Sequence, residues 1–212
     1  CCGAIVLEYK SLNIETSYKV YEPAEDSFMA ADFIEAYMKT LPGSVDVLDL
    51  GSGTGILGLT AAKTGKARSV VFADINENAV ALSEANYKRN ISLLPKACRC
   101  EFVKSDLFSN IGGRFDLIIF NAPYLRHSQL DILSGQIAKS WDGGKEGIEV
   151  AVEFLEGAKG HLKDNGRIIL VSSSAANLRK LKEKIAEMGY AVLKEEKEHF
   201  FFEDIVVMLA GT

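Results

Sequence analysis

Four consecutive residues, Asn121-Ala122-Pro123-Tyr124, combine types that can hold a planar nitrogen. An amide or exocyclic amine nitrogen is a poor nucleophile because its lone pair is delocalised, so a catalyst must fix it in place. The Asn121 side-chain oxygen and the Ala122 carbonyl are two acceptors able to take both N–H hydrogens and point the nitrogen at an electrophilic methyl. Pro123 fixes its own φ and disfavours the helical region for Ala122, which pre-aims that carbonyl. Tyr124 offers a ring to stack on the planar group. No base is required before alkylation, because the nitrogen can lose its proton afterwards; His127 therefore reads as a solvated loop residue. An Asn-x-Pro turn after a strand is also an ordinary chain reversal, so the motif needs a companion.

The companion lies upstream. Val47-Leu48-Asp49-Leu50 runs into Gly51-Ser52-Gly53-Thr54-Gly55 and a helix starting near Ile56. Glycines there let the backbone turn sharply and approach a ligand, and helix N-terminal amides offer donors. A dinucleotide fingerprint would need its third glycine at position 56, which is Ile56. Asp49 places a carboxylate where an amino-acid-bearing cofactor's ammonium would lie, which favours S-adenosyl-L-methionine, leaving S-adenosylhomocysteine, over NAD. Asp74, at the end of the next strand, can accept from both ribose hydroxyls. Asp106, in Ser105-Asp106-Leu107 after the following strand, can accept from the adenine amine. Asp74 or Asp106 alone would pass as a turn cap; three strands in succession ending in acids would not.

Those residues need a scaffold that brings strand ends together. Apolar runs rich in Val, Ile and Phe at 45–50, 69–73, 101–104, 115–120, 167–172, 190–193 and 202–209 read as seven strands. Helical periodicity falls between them at 24–39, 56–64, 77–90, 145–162 and 175–188. Alternation with strands apolar throughout implies an α/β fold, a mostly parallel sheet with helices on both faces. Ligands in such sheets bind outside the carboxyl ends of the strands. The charged segment 195–199 is too short for a helix, so the last two strands should form a C-terminal antiparallel hairpin. Residues 1–22 precede the pattern as an N-terminal cap segment, and 23–212 form a single domain.

The totals exclude several classes. A length of 212 residues suits one substantial core, and 48% hydrophobic with 25% charged residues is ordinary globular composition. With 24 basic and 29 acidic residues the net charge is -5, and no basic run offers a footprint for nucleic acid. A basic protein surface suits that balance better. Cys1-Cys2 and Cys98-x-Cys100 lack zinc-site spacing and read as thiols of a reducing compartment, with no metal expected. No apolar run of membrane-spanning length occurs, and the cytoplasm is the expected location.

On the residues Tyr21-Glu22-Pro23-Ala24-Glu25-Asp26-Ser27, Asp49 to Gly55, Asn121 to Tyr124 and Trp141-x-Gly143-Gly144-x-x-Gly147, the sequence resembles the HemK/PrmC-type protein-(glutamine-N5) methyltransferases. It is closest in kind to their eukaryotic and archaeal branch acting on class I release factors. The resemblance implies a class I (Rossmann-like) methyltransferase fold with a seven-stranded sheet, and N5-methylation of the glutamine in a release factor's Gly-Gly-Gln motif. It implies cofactor contacts at Ser27, Asp49, Gly51, Asp74, Asp106, Leu107 and Asn121, with Asn121 to Tyr124 receiving the glutamine. The compact branch lacks the bacterial amino-terminal helical domain, which accords with 212 residues, and often works with a small zinc-binding activator subunit. The strand near Phe102 and Val103, expected at a sheet edge, is where such a subunit could extend the sheet.

The family motif has proline where this chain has Ala122, so φ is unlocked there and an N–H restored; the aim is expected to loosen slightly, since Pro123 still restrains Ala122. Two rival readings share parts of this pattern. A nucleic-acid adenine-N6 or guanine-N2 methyltransferase also holds a planar amine, but base flipping calls for a basic surface or recognition domain. A non-catalytic adaptor of the same fold would have no need of Asp49 and Asn121.

Overall fold

The computed structural model describes residues 5–126, 142–201 and 203–212. Cys1, Cys2, His127 and Trp141 lie outside the described residues. The chain forms two compact units, Cys1–Ile111 and Gly112–Thr212.

The first unit opens with an antiparallel pair, β1 (Val6–Tyr9) and β2 (Leu12–Glu15), in which Tyr9 pairs with Leu12. Then come α1 (Glu25–Thr40), β3 (Val45–Leu50), α2 (Ile56–Lys63), β4 (Ala67–Asp74), α3 (Glu77–Asn90) and β5 (Arg99–Lys104). Strands β3, β4 and β5 run parallel, with Asp49 opposite Phe72 and Asp74 opposite Lys104. Local sequence explains the helix starts. Glu25 and Asp26 occupy the first turn of α1 and Lys39 its last, each complementing the helix dipole. Asn76 caps α3, its side chain accepting the Asn78 N–H at 3.0 Å. Helix α2 is buried from Ile56 to Ala62, as a helix apolar on all sides must be.

The second unit holds β6 (Phe115–Asn121), α4 (Glu149–His161), β7 (Leu162–Ser173), α5 (Leu178–Glu187), β8 (Ala191–Phe200) and β9 (Glu203–Gly211). Strands β6 and β7 are parallel, while β9 pairs antiparallel with both β7 and β8. Helix α4 buries Ala151, Phe154, Leu155 and Ala158, the spacing of one helical face. Its Phe154 ring lies 4.6 Å from Phe120, which precedes Asn121, so the packing of α4 fixes the end of β6. The seven strands from β3 onward make one sheet in the order β5-β4-β3-β6-β7-β9-β8, mostly parallel and ending in the expected antiparallel hairpin.

Several boundaries differ from the sequence reading: β7 begins at Leu162 rather than 167 and α5 at Leu178 rather than 175, and two differences are larger in consequence. The charged segment 195–199 is strand, not connection: β8 runs on to Phe200, which pairs directly with Glu203. The segment is exposed throughout, so a run of charged residues replaces the apolar signal by which strands are recognised. The helix expected from residue 145 starts only at Glu149, because residues 143–148 form a glycine-bearing loop. Among the described residues, no helix is long and apolar enough to cross a membrane, and no group of three or more His, Cys, Asp and Glu could hold a metal ion.

Candidate active site

In the first unit the turn after β3 has Gly51, Gly53 and Gly55 all in the left-handed region, at φ 64, 54 and 82. Side chains are strained there, which is why this turn alternates glycine. Gly55 is doubly constrained, since a Cβ on it would stand 3.0 Å from that of Ser83. The Ser52 N–H donates to the Ala73 carbonyl (3.0 Å) and the Gly55 N–H to the Ser52 carbonyl (2.7 Å), closing the turn.

Asp49 is 1% exposed, and its Oδ2 accepts the Gly58 N–H at 2.8 Å. Gly58 is the third residue of α2, so the strand's acid satisfies one of the helix's orphan N-terminal donors. Gly58 must be glycine: a Cβ would sit 2.9 Å from Asp49 Oδ2 and 2.4 Å from the Phe72 ring. Burial drives the Asp49 pKa up to about 8; the Gly58 N–H lowers it and the charge of Asp74 raises it further.

Asp74 uses both oxygens on backbone. Oδ2 accepts from Gly53 N (2.9 Å), tying the glycine turn to the end of β4, and Oδ1 from Asn76 N (2.8 Å). Burial raises its pKa, and the Asn76 and Gly53 amides moderate the rise. Two oxygens offer about four lone-pair sites, so these amides leave acceptor capacity for a ligand. Asp106 is exposed and begins a short turn in which Leu107 takes φ 43. Buried Ser105 holds that turn, donating to the Leu107 carbonyl (2.7 Å) and accepting from Asn110 N (3.0 Å). Ser27 sits on the first turn of α1, 4% exposed. Its hydroxyl donates to Asp26 Oδ1 (3.2 Å), which also takes the Tyr21 hydroxyl (2.7 Å).

This cradle suits a ligand with an ammonium and hydroxyls. Two carboxylates stand at successive strand ends, every second residue of the turn that follows the first is a glycine, and Ser52 Oγ is buried with no hydrogen-bond partner. An orphaned buried hydroxyl is costly, and a bound polar group relieves it.

In the second unit, Asn121 ends β6, Ala122 is 2% and Tyr124 6% exposed, and Pro123 is half-buried. The tetrapeptide is backed by the loop 143–148. Gly143 N donates to the Leu125 carbonyl at 2.8 Å. A Cβ on Gly143 would stand 2.6 Å from the Pro123 carbonyl oxygen, and one on Gly147, at φ +74, 2.4 Å from that of Tyr124. Glycine is thus required for the loop to lie against the tetrapeptide's backbone. Glu149 sets the loop's shape, its carboxylate accepting the N–H groups of Glu146 (3.1 Å) and Ile148 (3.1 Å).

Three residues important to this arrangement carry no motif signal. Gly58 and Glu149 read as ordinary helix residues, and Asn86 as a polar helix position. Asn86 is fully buried and donates to the Thr54 carbonyl inside the glycine turn at 3.0 Å. Only the spacing Asn86-x-x-x-Asn90, two amides on one helical face, could have flagged it.

The methyltransferase small domain model matches residues 30–201. A Methanocaldococcus jannaschii protein named "Putative protein N5-glutamine methyltransferase" is 32% identical over 207 residues, 97% of this chain and 98% of that protein. A release factor glutamine methyltransferase of Agrobacterium fabrum is 29% identical over 169 residues, 76% of this chain and 57% of that longer protein. Among solved structures, the E. cuniculi Mtq2-Trm112 complex, described as methylating the eRF1 termination factor, superposes with a TM-score of 0.64 at 22% identity. The match covers 91% of this chain and 98% of that one, and shows the same fold.

Proposed function

The chain belongs to the methyltransferase small domain family and to its protein N5-glutamine methyltransferases, and from that membership we propose that it methylates the side-chain amide of a glutamine in a class I translation release factor. The observation that carries the reading is the placement of Asn121-Ala122-Pro123-Tyr124 at the end of β6, backed by a loop whose Gly143 and Gly147 lie too close to its backbone for a Cβ.

The first unit would hold S-adenosyl-L-methionine, with Asp49 for its ammonium, Asp74 for its ribose, Asp106 and Leu107 for its adenine, the turn Gly51 to Gly55 for its body and Ser27 for its methionyl end. When bound, this cofactor supplies an electrophilic methyl on a sulfonium and leaves as S-adenosylhomocysteine. The second unit presents the nucleophile. Asn121 Oδ1 and the Ala122 carbonyl accept the two amide hydrogens, which localises the lone pair toward the methyl, and Tyr124 packs on the amide plane. The alkylated nitrogen then sheds one proton to solvent. Residues 23–212 act as one catalytic domain and 1–22 as its cap, in the cytoplasm. A net charge of -5 disfavours a nucleic-acid substrate.

A small partner subunit fits β5, the end strand of the sheet. Phe102 stacks on Phe72 at 4.9 Å and leans on Tyr87, so the backbone of β5 rather than the Phe102 ring is what such a partner would meet.

Isotope-labelled cofactor incubated with the chain and a release factor should label the Gly-Gly-Gln glutamine alone. Asn121→Ala should lower kcat by about 10² to 10³ while S-adenosylhomocysteine binds nearly as before. Label on nucleic acid, or normal turnover by the mutant, would sink the reading.

A further inference from the structure

Asn86 has 0% exposure, and its amide serves two separate parts of the first unit. Oδ1 accepts the Glu15 N–H (2.8 Å), and Nδ2 donates to the Glu15 carbonyl (3.0 Å) and to the Thr54 carbonyl (3.0 Å). Thr54, 2% exposed, lies between Gly53 and Gly55. One turn further along α3, Asn90 makes the same pair with Asn13, at 2.8 and 2.9 Å. Its remaining Nδ2 hydrogen goes to the Asn86 carbonyl of its own helix (2.7 Å). Both asparagines hold the hairpin β1–β2, and of the two only Asn86 reaches the glycine turn.

We propose that Asn86 is a positioning residue for the cofactor turn, coupling the docking of hairpin β1–β2 to ligand binding at Gly51 to Gly55. The inference rests on the reading of that turn as the cofactor's cradle. A turn of alternating glycines has much backbone freedom to lose. Asp74, on the Gly53 N–H, and Asn86, on the Thr54 carbonyl, remove that freedom before the ligand arrives, so binding does not have to supply the ordering. Coupling of this kind is reciprocal: a ligand that orders the turn must stabilise the docked hairpin by the same factor.

The test is S-adenosylhomocysteine binding by calorimetry, with amide hydrogen exchange at Asn13 and Glu15, on the full chain and on Asn86→Asp, Asn86→Ser and Asn90→Ser. The Asp variant keeps an acceptor and loses both donors. Either Asn86 variant should bind about tenfold more weakly, since a buried carbonyl loses its donor. Asn90→Ser should stay within about twofold of wild type, although its Asn13 amide exchanges faster. In the wild type, ligand should slow exchange at Glu15, and in Asn86→Ser it should not. Wild-type affinity in folded Asn86 variants would overturn the proposal, as would equal weakening by Asn90→Ser. If the Asn86 variants fail to fold, exchange in the wild type decides: Glu15 indifferent to bound ligand overturns the coupling. A wild type that binds no S-adenosylhomocysteine overturns the cofactor reading as well, whereas binding with indifferent exchange overturns the coupling alone.

Discussion

Asp49 has to satisfy a helix and, in the proposed enzyme, a cation. In the fold it accepts from Gly58 and is held, by burial first, at a pKa of about 8, well above the ordinary value near 3.9. The sign follows. An acid raised in the folded state is disfavoured as an anion, so the cost is absent below pH 4, grows as pH rises and is complete above 8. The ammonium of the ligand needs that anion. S-adenosylhomocysteine affinity should therefore rise from pH 6 to 8, by up to about tenfold per unit, with proton release at neutral pH. Calorimetry in buffers of different ionisation enthalpy reads both. Asp49→Asn should bind weakly and without this slope, and a flat wild-type profile would detach Asp49 from the ligand. Asp49 and the three glycines stand within seven residues, so their common purpose is legible in sequence. Gly58 and Asn86 are not, because Phe72 in another strand and Thr54 in the glycine turn create the need for them.

At the scale of elements, the loop 143–148 does for the tetrapeptide part of what the missing proline at 122 would do. Its glycines press on the Pro123 and Tyr124 carbonyls, and Asn177 N donates to the Glu146 carbonyl (3.0 Å), fastening the loop to the start of α5. Gly147→Ala must push the Tyr124 carbonyl away while occupying a left-handed φ. Stability should fall by about 1–3 kcal/mol, and kcat by more than that loss accounts for, with S-adenosylhomocysteine affinity kept. Thermal melts beside steady-state kinetics would show it; a stability loss without a kcat defect would reduce the loop to scaffolding. The sequence pattern marks these glycines as a cluster, yet it reads the segment as the head of a helix. Nothing local to 145–148 reveals that the space belongs to the tetrapeptide. The far half of β8 escapes sequence reading for the opposite reason: its start was legible from Val192 and Leu193, but residues 195–199 are exposed and charged, with no apolar period to detect.

Across the whole chain, the two end strands of the sheet are finished differently. Around β8, Lys182 pairs with Glu195, Lys194 with Glu196 and Lys197 with Asp204, a charged edge that discourages pairing with another chain. Strand β5 is charged too, at Arg99, Glu101 and Lys104, but carries the half-buried Phe102 and Val103 side by side between them. The chain purified alone should scatter light above monomer mass and become monodisperse when the proposed small partner subunit is supplied; a stable, fully active monomer would remove the need for that partner. The parallel core and the terminal hairpin were legible because alternation and apolar content are properties of composition along the chain. The order β5-β4-β3-β6-β7-β9-β8 was not, because it depends on crossovers that no local window contains.

The meeting of hairpin and helix contains a coincidence of rulers. Asn86 and Asn90 are four residues apart on a helix rising about 1.5 Å per residue, some 6 Å in all. Glu15 and Asn13 are two apart on a strand advancing about 3.4 Å per residue, nearly 7 Å. Two scales that differ by less than an ångström per division agree at two marks and drift apart by the third or fourth, like a vernier. Sliding the hairpin by one residue would break both amide pairs together and turn Leu12 and Ile14, now at 1% and 0% exposure, out to water.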